Sequence, residues 1–175
     1  MCMCGDERAD KEMATKNVFS RPILPRGADK IGLSFVFLYL IIIFATNMDK
    51  IKTYTDPRGS LTIAESMGSV PFPITRIYWI YDVPQGVKRG FHANKLSYQY
   101  LVAVNGSVDI CLEDKNGRRH YHLASRNDGL LVPPETWNEL TNFSPDAVLL
   151  VFASHTYDPT TYINSYSEFL EYIKR

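Results

Sequence analysis

From Thr53 onward, short apolar stretches alternate with polar positions between closely spaced turns, the habit of a β-sandwich or barrel. Asp56-Pro-Arg-Gly59 reads as a turn, and residues 60–65 alternate as a half-buried strand does. After the Pro71-Phe-Pro73 break, residues 75–81 put Ile77, Trp79 and Tyr81 on one strand face and Arg76, Tyr78 and Ile80 on the other. Two faces of one strand thus carry different jobs. Further strands are predicted over 97–104, 107–113, 119–123, 129–132 and 147–153, with Asp114-Lys-Asn-Gly117 turning a hairpin. Only residues 162–174 space apolar side chains as a helix does, with Ile163, Tyr166, Phe169, Leu170 and Ile173 on one side. The pattern predicts an all-β domain over 48–175 closed by one C-terminal helix.

The upstream residues 1–47 break this pattern. A polar stretch of 30 residues precedes an uncharged apolar run, 31–45, flanked by Arg26 and Lys30 on one side and Lys50 and Lys52 on the other. Three readings stand: an extension that arises from a start codon assigned too early, a short membrane anchor, and the core of a cleaved signal. A spanning helix needs about 20 apolar residues, which the run barely approaches. The domain after Met48 carries the functional reading.

Composition narrows the classes. The chain has 175 residues and 45% apolar content, enough for the core of one ordinary domain. With 19 basic and 19 acidic side chains the net charge is zero, so no global field draws it to nucleic acid or an anionic membrane. Phosphate binding must be local. Cys2, Cys4 and Cys111 form neither a disulfide framework nor a complete metal set. Eleven tyrosines are available to line a pocket, with apolar bodies and hydrogen-bonding tips.

Two spaced motifs carry the chemistry. The first has the form Gly, five residues, His-x-His, three or four residues, Glu, six residues, Gly, in which the histidines and the acid hold a metal inside a cupin barrel. The chain offers Gly86, His92-Ala-Asn94, Gln99 and Gly106 at that spacing. In the second motif the expected histidine is Asn138, within Pro133-Pro-Glu-Thr-Trp-Asn138. Of four ligand positions only His92 is a good donor for a transition metal, and a metal-free double-stranded β-helix (jelly-roll) barrel is expected.

These residues also point to a family. Arg89-Gly-Phe-His-Ala-Asn94, Gln99, Asn105-Gly-Ser107, Gly129-Leu-Leu-Val-Pro-Pro134, Trp137, Ala153-Ser154 and Tyr157-Asp158 resemble the sugar 3,4-ketoisomerases that act on dTDP-4-keto-6-deoxyglucose. The likeness extends to Asp56-Pro-Arg-Gly59 and Arg76-Ile-Tyr78. It implies a small cytoplasmic homodimer, tethered at the cytoplasmic face if 31–45 is an anchor, with no cofactor, that supplies keto sugars for deoxyamino-sugar biosynthesis. Many relatives carry His-Ala-His where this chain has His92-Ala93-Asn94.

Moving a carbonyl from C4 to C3 requires a base near neutral pKa, which makes His92 the candidate for proton transfer through an enediolate. Tyr78 and Asn94 are candidate donors to the developing oxyanion. Arg58, Arg76 and Arg89 are candidate diphosphate ligands, Gln99 and Asn138 candidate sugar-binding amides, and Trp137 a candidate stacking surface. His120 and His122 share a strand face and read as an exposed sheet surface. Two alternatives stay open: a metal-free epimerase acting on a nucleotide-linked 4-keto sugar, and a non-catalytic module that binds such a sugar.

Overall fold

The computed structural model describes residues 48–174. The apolar run 31–45, Cys2 and Cys4 therefore lie outside the described residues. Two five-stranded antiparallel sheets pack face to face as a jelly-roll barrel. The first runs in the order β1 (Met48–Lys50), β9 (Asp128–Val132), β6 (Gln99–Asn105), β11 (Val148–Ala153), β4 (Arg76–Ile80). The second runs β12 (Tyr162–Ile163), β5 (Arg89–Asn94), β10 (Trp137–Thr141), β7 (Val108–Asp114), β8 (Gly117–Leu123). A separate hairpin pairs β2 (Thr53–Asp56) with β3 (Gly59–Thr62), and one helix, α1 (Tyr166–Tyr172), follows. Both expected turns are present: Asp56 pairs with Gly59, and Asp114 with Gly117.

Alternation decides which side chains enter the core. Leu101 and Ala103 of β6, Val108, Ile110 and Leu112 of β7, Leu130 and Val132 of β9, and Leu149 and Val151 of β11 fill the space between the sheets. The opposite parity of the first sheet, Tyr100, Val102, Leu131 and Phe152, packs beneath Ile51, Val70 and Phe72 of the N-terminal segment. A third cluster joins Ala93, Trp137, Ile163 and Phe169, by which α1 docks outside the second sheet.

The helix is shorter than the apolar spacing predicts. Ser165 caps it, its hydroxyl accepting from Glu168 N at 3.4 Å, and α1 begins only at Tyr166. Ahead of the cap, Tyr162 and Ile163 join the second sheet opposite Asn94 and Ala93. A buried Ile163 satisfies a strand there as well as it would a helix face. Among the described residues no helix is long and apolar enough to cross a membrane.

Candidate active site

The barrel is filled at one end and open at the other. Where the core ends at Leu101, Leu140 and Val151, a cavity of about 490 Å³ opens between β4, β5, β6, β10 and the segment after β11. That volume suits a small ligand or part of a nucleotide sugar.

β4 serves the cavity through one face only. Arg76, Tyr78 and Ile80 line it, while Ile77, Trp79 and Tyr81 are each more than half exposed outside, Trp79 also touching the rim. β5 needs a different device. Arg89 and His92 both line the cavity, although three residues apart they would face opposite sides of a regular strand. A bulge resolves this: Asn138 of β10 opposes His92 and Glu139 opposes Gly90, so Phe91 is the extra residue. Gly90 and Phe91 take φ of 81° and 60° to make it. Such a conformation is easy for glycine and strained for phenylalanine.

The bulge also fixes the His92 tautomer. His92 Nδ1 lies 3.0 Å from the Gly90 carbonyl oxygen, which can only accept, so Nδ1 carries the hydrogen. The lone pair is left on Nε2. Burial pushes the His92 pKa down, opposed by the bond to Gly90, so the imidazole is neutral at physiological pH. Tyr78 is pushed up to about 12, first by burial and then by the neighbouring Tyr162 hydroxyl, with Arg76 pulling the other way. Its phenol therefore stays a proton donor.

Two further donors have no partner among the described residues. Gln99 Nε2 and Arg76 Nε are buried and unbonded, which native structures seldom tolerate unless a ligand or water completes them. Asn138 donates from Nδ2 to the His92 carbonyl oxygen at 3.1 Å and stands on the cavity wall. Arg76 and Arg89 are the charged groups of the lining, and among the described residues no carboxylate lines it. A chain of zero net charge thus holds a locally positive pocket.

Three residues expected at the site do not line it. Asn94 has the strand parity of His92, but its carboxamide turns into the following loop, where Oδ1 accepts from Leu96 N at 2.9 Å and Ser97 N at 2.7 Å. Its Nδ2 donates to Thr161 Oγ1 at 3.0 Å. Trp137 neighbours Asn138 in β10 and must face the other way; it packs on Phe169 and Tyr166 and donates to Glu139 Oε1 at 3.1 Å. Arg58 sits on the exposed β2–β3 turn, paired with Asp56 at 2.6 Å. Conversely, Tyr157, Pro159, Tyr162 and Asn164 line the cavity from a chain-distant segment that the motif spacings do not reach. Only the Tyr157-Asp158 likeness pointed there.

The four motif positions supply one imidazole, Gln99, Asn138 and an Asn94 already spent on the backbone. Such a set does not fit a divalent transition metal. Among the described residues no three His, Cys, Asp or Glu side chains are grouped to hold one. His120 and His122 lie on the exposed face of β8, His122 Nδ1 meeting Asp109 Oδ1 at 2.6 Å.

The family model described as "FdtA: WxcM-like, C-terminal" matches residues 45–174. A TDP-4-oxo-6-deoxy-alpha-D-glucose-3,4-oxoisomerase from Aneurinibacillus thermoaerophilus is 43% identical over 124 residues, 71% of this chain and 89% of that protein. A 3,4-ketoisomerase from Helicobacter canadensis superposes with a TM-score of 0.71 at 38% identity, covering 74% of this chain and 97% of its own. A variant of the 3,4-ketoisomerase QdtA from Thermoanaerobacterium thermosaccharolyticum, solved in complex with TDP-4-keto-6-deoxyglucose, matches with a TM-score of 0.71 at 35% identity over 73% of this chain and 93% of its own. The bulged strand that presents His92, and the two motifs around it, fall within the matched span, and the chain belongs to the FdtA, WxcM-like family.

Proposed function

We propose that this chain is a 3,4-ketoisomerase of a TDP-linked 4-keto-6-deoxy sugar and that His92 moves the proton. The observation that carries the reading is the His92 ring, tied at Nδ1 to Gly90 and bearing its lone pair at Nε2, beside a cavity with two arginines and a protonated phenol. Nε2 removes the proton from C3 of the bound sugar, and the electron pair moves through the C3–C4 bond onto the C4 oxygen. The resulting enediolate is held by hydrogen bonds from Tyr78 and the amides of Gln99 and Asn138. Transfer of the O3 proton toward O4, and delivery to C4 of a proton from His92 after exchange with solvent, leaves the carbonyl at C3. No atom or electron is lost. The diphosphate is assigned to Arg76 and Arg89, whose planar forks match phosphate oxygens.

A homodimer belongs to the same reading. Ile77, Trp79 and Tyr81 on edge strand β4, with Tyr54 and Leu61 on the hairpin, are apolar or aromatic and between 49% and 60% exposed. A second copy would cover such an edge. Light scattering on the full chain is expected to give twice the monomer mass, and Ile77→Asp with Tyr81→Asp to halve it.

The activity is tested with TDP-4-keto-6-deoxyglucose in deuterated buffer, followed by NMR. The reading expects a 3-keto product with deuterium at C4. Deuterium at C3 or C5 with the 4-keto group retained would make the chain an epimerase, and neither exchange nor a 3-keto product would make it a binder.

A further inference from the structure

Residues 154–165 run from the end of β11 to the cap of α1 and wall one side of the cavity with Tyr157, Pro159, Tyr162 and Asn164. Thr161 ties this strap to the end of β5 and the residue after it. Asn94 Nδ2 donates to Thr161 Oγ1 at 3.0 Å, and Lys95 N donates to the Thr161 carbonyl at 2.9 Å. Thr161 Oγ1 in turn donates to the Asp158 carbonyl at 2.8 Å, closing the single 3-10 turn Pro159–Thr161. On the far side of Tyr162, Ile163 is completely buried against Ala93 and Phe169.

Tyr162 is thus held from both directions along the chain, and its ring stands edge-on to the His92 imidazole, with centroids 5.1 Å apart and planes at 76°. Its hydroxyl lies 3.5 Å from Arg76 Nη2. His92 needs such a neighbour. Its one hydrogen bond among the described residues, from Nδ1 to Gly90, fixes a point on the ring but leaves the imidazole free to swing about that bond. A base that must reach a carbon-bound proton tolerates little swing, because misplacement by about 1 Å can cost roughly 100-fold in rate.

We propose that Tyr162 is a positioning residue whose ring fixes the plane of the His92 imidazole, and that Asn94 acts through Thr161 as the latch that seats it. The proposal rests on His92 being the base. It gives Asn94 a use that differs from proton transfer: at the position where many relatives carry a second histidine, this chain holds the strap in place.

The test uses the full chain with Tyr162→Leu, Tyr162→Phe and Thr161→Val, each first checked by thermal melting. TDP affinity is measured by calorimetry, and deuterium incorporation into saturating TDP-4-keto-6-deoxyglucose by NMR. Tyr162→Leu is expected to slow exchange at saturation by roughly 10- to 100-fold while TDP affinity changes less than about threefold. Tyr162→Phe keeps the ring and should stay within about threefold of the parent, and Thr161→Val should fall between the two. The proposal is overturned if Tyr162→Leu exchanges at the parental rate, if Tyr162→Phe is as slow as Tyr162→Leu, or if TDP affinity falls as far as exchange does. Should Tyr162→Leu not fold, the rates of Tyr162→Phe and Thr161→Val decide: a slow Phe variant or a parental-rate Val variant overturns it. His92→Asn, run alongside, separates the two claims. Parental exchange in that variant removes the base assignment itself, whereas an inert His92→Asn with a fast Tyr162→Leu removes only the positioning role.

Discussion

Gly90→Ala perturbs the residue whose carbonyl holds His92 Nδ1, and the structure sets the size of the effect. A Cβ at Gly90 would lie 2.6 Å from Asn138 Oδ1 and 2.8 Å from the Asn138 carbonyl oxygen. The side-chain oxygen can move, but the carbonyl belongs to β10, paired on both sides with β5 and β7. The φ of 81° adds the left-handed cost of an alanine, about 1–2 kcal/mol, and crowding of this kind adds about 1–3 kcal/mol. Gly86 provides the control, since its φ of 79° is nearly the same and nothing lies within 4 Å of the place a Cβ would take. Gly86→Ala should therefore cost only the first term, about 1 kcal/mol after the gain from a stiffer unfolded chain. For a domain of this size about 1 kcal/mol is worth about 3–5 °C in Tm, so Gly90→Ala should melt about 6–20 °C below the parent and Gly86→Ala about 3–5 °C below. Circular dichroism melts of the pair read the difference directly. Deuterium exchange into the substrate should also fall in Gly90→Ala alone, because its carbonyl holds His92 Nδ1. If the two variants melt together and exchange equally, the bulge does not position His92 as described.

Three shorter expectations follow from the same geometry. Because burial lowers the His92 pKa, the folded state binds fewer protons there than the unfolded one; this stabilising preference is intact above about pH 6.5 and is lost as pH falls from there through the folded pKa. The exchange rate should follow it, flat at neutral pH and falling on the acid side at a pKa below that of free histidine; a rate that climbs only above pH 7 would contradict a neutral, buried base. Arg76→Leu should weaken TDP binding by about 10- to 100-fold in calorimetry, the worth of a charge-assisted bond, and unchanged affinity would remove Arg76 from the diphosphate site. Trp137→Ala empties the α1 interface, where Trp137 is 3% exposed, and should cost about 3–5 kcal/mol of stability while a folded fraction still binds TDP with parental affinity. Lost affinity in that folded fraction would return Trp137 to the ligand.

Particular residues show where sequence patterning reached and where it stopped. The alternation of Arg76, Ile77, Tyr78 and Trp79 is a local property of a strand, and the structure keeps it: one face to the cavity, one to the outside. Motif spacing brought His92, Gln99 and Asn138 to one cavity from β5, β6 and β10. Strand alternation, had it been applied to β10, would have set Trp137 aside, because the immediate neighbour of an inward Asn138 in a strand cannot also point inward. Asn94 was harder to read. Its parity is right, and only the turn after β5, whose amides its carboxamide accepts from, draws it away. Tyr162 was masked by a helical spacing that continues through it, although Ser165 was a legible cap that could have ended the helix early. Pairing of a two-residue strand with a segment far upstream in the chain has no local signal at all.

The central claim is that His92 Nε2 carries the proton between C3 and C4, and it is tested most directly by comparing the full chain with His92→Asn on TDP-4-keto-6-deoxyglucose in deuterated buffer. Deuterium is expected at C4 of a 3-keto product from the parent, and a rate lower by about 100- to 10,000-fold in His92→Asn with TDP affinity unchanged. A His92→Asn protein that forms the 3-keto product at the parental rate would contradict it.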